Sequence, residues 1–225
     1  TVKCGYVGKV ELDLIAKFIV RGGWPNNLDK SDEDIDLIPK SYIDSILSKD
    51  INEGDKARDK NKMMMVLRSL ARNESTLVGS KTIIKDIEEY ESEEELLTSR
   101  ITVADYLSVL DSLYLTLNQE AFSINYRSSK RIGKSPKRHF VDPSLACASL
   151  GLNVSKLMND FNTFGLMFES LVLRDLKIYM DTIDGKVFYF RDNISGDEVD
   201  VILEFADSSY AAVEVKLSFN YIEEA

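Results

Sequence analysis

The sequence is poor in the residues that most enzymes lean on: one histidine, two cysteines and four prolines among 225 residues. With His139 as the only imidazole, a histidine-based metal cage or a Ser-His-Asp triad is nearly excluded. Cys4 and Cys147 lie too far apart in sequence for a metal-spaced pair. With no apolar secretion signal, they suit a reducing cytoplasm, the expected location, better than a disulfide framework. The longest apolar runs are about five residues, far below the roughly 20 a membrane-spanning helix needs. No membrane partner is expected. Positive charge is also short, at 28 Lys and Arg against 38 Asp and Glu, for a formal net charge of -10. Such a molecule repels nucleic acid and anionic membranes as a whole, so any nucleic-acid contact must come from a local basic patch. Thr1 stands where an initiating Met would, which reads as a processed or truncated start. Carboxylates and lysine are left to carry any chemistry.

What is present is an ordinary globular composition, 44% hydrophobic and 29% charged, with enough chain for one large domain or two small ones. Apolar residues recur at helical spacing over 10–20, and Arg21-Gly22-Gly23-Trp24-Pro25 breaks that helix. Residues 39–51 put Tyr42, Ile43, Ile46 and Leu47 on one helical face. Three further helices are predicted over 59–72, 80–90 and from Thr102, where Thr102 to Asp105 fits a capping box. Alternation through Leu115, Leu117, Phe122, Ile124 and Tyr126 predicts strands. Three helices and a β-wing describe a winged helix-turn-helix, although the third helix presents Asp105, Ser108, Asp111 and Ser112, which repel phosphates. Gly79-Ser80-Lys81-Thr82 lacks the Gly-Lys pair of a phosphate loop.

Residues 127–138 form the one strongly biased segment. Arg127, Lys130, Arg131, Lys134, Lys137 and Arg138 lie there without one acid, either as a solvated loop or as a nucleic-acid contact. A long helical stretch is predicted over 154–181, followed by strands over 187–190, 198–205 and 210–217. On that helix Ser170, Arg174, Lys177 and Asp181 mark a solvent stripe, and Glu169 falls roughly 110° from it, at the edge of the apolar side. A carboxylate there needs a metal or a basic partner.

The last two strands carry the chemistry. Asp200 shares a face with Ile202 and Glu204, and Glu214 shares one with Lys216. Opposed residues of an antiparallel pair point to the same side. Asp200 therefore meets Glu214 or Lys216 only if paired positions sum to an even number, which needs an odd-length turn or a bulge around Ala206 to Ser209. Two neighbouring carboxylates hold a hard cation such as Mg²⁺ or Mn²⁺, which generates hydroxide and polarises a phosphodiester. The lysine two residues on can orient water or steady developing charge. The same pattern also describes the salt-bridged polar face of a plain strand pair.

Gly165-Leu166-Met167-Phe168-Glu169, Arg191, Glu198-Val199-Asp200-Val201-Ile202 and Glu214-Val215-Lys216 together resemble the PD-(D/E)xK nuclease superfamily. More narrowly, with Arg21 to Pro25, 42–51, 102–115 and 134–146, the chain resembles a C-terminal domain of unknown function of bacterial and archaeal AAA-superfamily ATPases. The resemblance implies an α+β, predominantly helical chain. Residues 1–52 would lead from an absent ATPase domain, 53–150 would be a winged-helix-like region with a basic hairpin, and 151–225 an incomplete nuclease-like α/β unit. Asp200 and Glu214 would be metal ligands, Lys216 the catalytic lysine and Glu169 the helix acid. ATP would be bound only by the missing ATPase part of the same polypeptide, and no ATP hydrolysis is expected from this chain. The implied function is a regulatory or effector module that engages DNA, with a degenerate or conditional metal-dependent phosphodiesterase site. The alternative is a non-catalytic module that docks a protein partner.

Overall fold

A computed structural model describes residues 10–50, 58–88, 100–125, 127, 135–192 and 195–217. Helix α1 (Leu12–Arg21) ends where Gly22 takes φ +68°, a conformation only glycine adopts freely. A 3₁₀ turn, Pro25–Asn27, leads to α2 (Leu37–Ser45), which runs on as a π turn through Asp50. Asp59 caps α3 (Lys60–Arg72) by accepting from the amides of Asn61 and Lys62. Then follow α4 (Ser80–Glu88), α5 (Arg100–Ser112), β1 (Thr116–Ala121) and β2 (Lys137–Phe140). Asp142 caps α6 (Pro143–Leu150), Asn153 caps α7 (Val154–Met158), and Asp160 caps α8 (Phe161–Asp181). Strands β3 (Lys186–Arg191), β4 (Glu198–Glu204) and β5 (Tyr210–Val213) close the described chain.

Helix α6 is buried on nearly every side, and its small residues let α1, α2, α3 and α8 approach it closely. The main core forms around it from residues such as Ile19, Ile43, Leu67, Ile83, Leu110 and Phe164. The Arg21 to Pro25 turn is fastened to the start of α6. Gly23 N donates to Asp142 Oδ2 at 2.9 Å, Trp24 Nε1 to Ser144 Oγ at 2.9 Å, and Arg174 to Asp142 Oδ2 at 2.8 Å. This turn packs within the chain.

The strands make one five-stranded mixed sheet in the order β2-β1-β3-β4-β5. All pairs are antiparallel except β1 with β3. The β1–β2 hairpin, expected as a wing of residues 53–150, therefore shares a sheet with the strands expected in 151–225. Its second strand is Lys137–Phe140, which takes up the end of the basic run; residues 122–125, expected as strand, are not, and Tyr126 lies outside the described residues. Several expectations shift with this. The 154–181 helix is two helices, broken at Asn159-Asp160 because the Asp160 carboxylate caps the second by accepting from Thr163 N and Oγ1. Thr102 lies inside α5, and Asp105 ion-pairs with Arg58 at 3.0 Å where a capping box was expected. Ser170, expected in solvent, is buried because its hydroxyl donates to the buried Glu74 carboxylate at 2.7 Å. No described helix is long and apolar enough to cross a membrane.

Candidate functional site

The β4–β5 hairpin sets the geometry. Val201 pairs with Val213 and Glu204 with Tyr210, so paired positions sum to an even number, and Asp200 falls opposite Glu214. Phe205 N donates to Ser209 O at 2.8 Å, leaving the three-residue turn Ala206 to Ser208, with Ser208 at φ +65°. That is the odd-length turn the sequence demanded. Strand pairing stops at Val213, short of the expected Leu217, because the Asp200 side chain interposes: Val215 N donates to Asp200 Oδ2 at 2.9 Å. Glu214 and Lys216 thus sit just past the strand, ion-paired at 2.6 Å.

Glu169 on α8, Asp200 on β4, and Glu214 and Lys216 all line one open cleft of about 400 Å³. Arg191 and Glu198 join them, with Ser75 and Leu166 below. The centre is held by a residue assigned from sequence to the nucleic-acid contact. Lys137 enters from β2 with its side chain 3% exposed, its ammonium 3.2 Å from Glu169 Oε1, 3.1 Å from Glu198 Oε1 and 3.8 Å from Asp200 Oδ1. The Tyr189 ring lies beneath it at 5.9 Å from the centroid, and the Tyr189 hydroxyl donates to Ser135 O at 2.7 Å, fixing the chain that delivers it.

The electrostatics follow from this crowding. Burial pushes the Glu169 carboxyl up to about 7, with the Asp200 and Glu198 charges adding to the rise and the Lys137 ammonium opposing it. At Lys137 burial works against the charge, but Glu169, Glu198 and Asp200 together outweigh it and hold the amine above its ordinary value. The hydrogen bond to Glu214 raises Lys216. The sequence left Glu169 needing a metal or a base, and the base is present.

A hard divalent ion does not fit the side chains as they stand. Asp200 accepts from Val215 N, Glu214 is paired with Lys216, and Glu169 and Glu198 face Lys137. Among the described residues no group of three or more His, Cys, Asp or Glu side chains is arranged to hold a metal ion. The arrangement can bind or position an ionic ligand, hold or release a proton at Glu169, and present Lys216 and Arg191 at the rim.

Beneath the cleft runs a buried polar network that sequence reasoning missed. Glu74, fully buried, accepts from Phe140 N at 3.1 Å and lies 3.5 Å from His139 Nδ1. His139 Nε2 meets Gln119 Oε1 at 3.2 Å, and Gln119 Nε2 donates to the carbonyls of Phe188 and Asp200 at 2.9 Å each. Ser75, at φ +60°, donates to Leu166 O at 3.0 Å. His139 is thus a packed histidine that braces β1, β2 and β4. The one signal was the alternation of Lys137 and His139 along β2, which the basic run concealed.

The basic run itself divides. Arg127 is exposed, Lys130, Arg131 and Lys134 lie outside the described residues, and Arg138 reaches Asn118 Oδ1 at 3.1 Å. Lys137 is corrected: three carboxylates draw it inward, so it is no part of a surface patch.

Comparison with known proteins gives two family matches. The profile described as Domain of unknown function (DUF4143) covers residues 164–225, which carry Glu169, Glu198, Asp200, Glu214 and Lys216. No curated protein and no solved structure matches the chain. The other profile, described as Domain of unknown function (DUF8612), covers residues 12–156, more than half of the sequence and the part that contributes Lys137, and to that family the chain belongs.

Proposed function

We propose that this chain is a non-motor regulatory or effector module of an AAA-family ATP-binding protein, acting on or near DNA through a nuclease-like cleft. One observation carries the reading: Glu169, Asp200, Glu214 and Lys216 come from a helix and a terminal hairpin to line a single cleft. The match over 164–225 supports it, since that domain is found in AAA-ATPase-associated proteins. ATP would be bound by an ATPase domain elsewhere in the polypeptide. The nuclease-like site is degenerate or conditional in this reading, because the acids that would take Mg²⁺ or Mn²⁺ are already engaged by Val215, Lys216 and Lys137.

The path of the basic run favours DNA as the partner. Arg127, at its start, is exposed, and Lys137, one residue before its end, lines the cleft. Leaving out Lys137, the run holds five cations that could meet phosphates. In fluorescence anisotropy with labelled duplex, binding should weaken with salt at a log–log slope near about −4. Replacing Arg127, Lys130, Arg131 and Lys134 by Gln should flatten that slope. An unchanged slope, or no binding at low salt, removes DNA from the account. The second reading, a protein-docking module, is favoured by Ile178, Tyr179 and Ile183, which stand exposed at the end of α8. Replacing Tyr179 and Ile183 by Ser would then release the ATPase in a pull-down while DNA binding stays intact.

A further inference from the structure

We infer that Lys137 is a tethered cation that takes the place of a divalent ion in this cleft, so that the unmodified chain binds no metal there and loss of the ammonium uncovers a metal site. The inference rests on the nuclease-like reading of the cleft for the words "takes the place" and on the geometry of Lys137 for the rest. Three carboxylates from two elements point at one spot, where the Lys137 ammonium lies within 3.1 to 3.8 Å of each, while Arg191 Nη1 approaches Glu198 Oε2 at 3.7 Å. Without that ammonium, desolvation and mutual repulsion would drive the acids apart or protonate them.

The position of Lys137 is built by the fold. Strand pairing sets Lys137 opposite Gln119, Gln119 is bonded to the carbonyl of Asp200, and Tyr189 supports both the ammonium and the backbone at Ser135. Glu198 is on the same strand face as Asp200 and makes the closest approach to Lys137. A divalent ion between Glu169, Glu198 and Asp200 would need the ammonium's position, so the two cations compete for one place. The lysine has the advantage of being attached, because its effective concentration is set by the fold and not by the solution.

Isothermal titration of Mn²⁺ into the wild type, Lys137→Met and Lys137→Met with Asp200→Asn tests this. Lys137→Met keeps an unbranched side chain, one atom shorter, and drops the charge. It should bind Mn²⁺ at least about tenfold more tightly than the wild type, and the added Asp200→Asn should abolish the gain. A Lys137→Met that binds no better than the wild type overturns the inference. So does wild-type binding that Asp200→Asn removes. A readout independent of the variant's folding is the melting temperature of the wild type with Mn²⁺ or with chelator. It should be the same in both, and a metal-dependent rise absent from Asp200→Asn overturns the inference. Failure here leaves the DNA and ATPase tests untouched, and their failure leaves this one standing.

Discussion

Lys137 and Glu169 constrain each other. A lysine this deeply buried persists as an ammonium only because several carboxylates face it, and a carboxyl as buried as Glu169 keeps part of its proton despite that ammonium. The Glu169 carboxyl ordinarily titrates near 4.5 and is pushed up to about 7 by burial, so the folded state holds the proton more firmly than the unfolded chain. The stability tied to this group is complete below the unfolded value and is lost as pH rises through about 7. Glu169→Gln should therefore gain on the wild type by roughly 1–3 kcal/mol between about pH 5 and about pH 8, read by urea denaturation at both values. A difference that does not move with pH contradicts the assignment. Glu74 plays the opposite part, satisfying the Phe140 amide and the Ser170 hydroxyl with no exposure to water. Glu74→Ala strands both donors, and should cost roughly 2–4 kcal/mol of unfolding free energy. A loss under about 0.5 kcal/mol would mean that the network is not closed as described.

Among the elements, two turns do the positioning. The three-residue turn of the last hairpin decides whether Glu214 and Lys216 face Asp200, and its third residue, Ser208, is left-handed at φ +65°. Glycine adopts that conformation without penalty, so Ser208→Gly should raise stability by about 0.5–1 kcal/mol in thermal denaturation. At the other end of the molecule a Cβ on Gly22 would lie 2.4 Å from Ser144 Oγ and 2.7 Å from Asp142 Oδ1, at φ +68°. Gly22→Ala should then lower stability by roughly 1–3 kcal/mol by prising the Trp24 turn from the cap of α6. Both turns were legible in the sequence, one from parity and one from the glycine pair. The elements that were not legible failed for local reasons. Strand β2 is written in charged residues, Lys137, Arg138 and His139, and its inward side chains are neutralised only by residues far away in sequence. The break between α7 and α8 depends on whether Asn159-Asp160 continues a helix or caps one, which apolar periodicity does not decide.

For the molecule as a whole, the sheet is the integrating fact. Periodicity recovered most of the helices and the last three strands. It could not reveal that β1 pairs with β3 across a separation that spans α6, α7 and α8, because long-range pairing leaves no local trace. The same holds for the cleft: three acids and Lys216 were readable from alternation and helical phase, while Lys137 and Glu198 required the sheet to bring residues 137, 169 and 198 together. The central claim is that these groups share one spot, with the ammonium of Lys137 as its cation. The most direct check is a crystal of the unmodified chain soaked in Mn²⁺, with anomalous scattering recorded at the manganese edge. The account predicts no anomalous peak between Glu169, Glu198 and Asp200, and lysine density in that place. A manganese peak there, with the Lys137 side chain turned out to solvent, would contradict it.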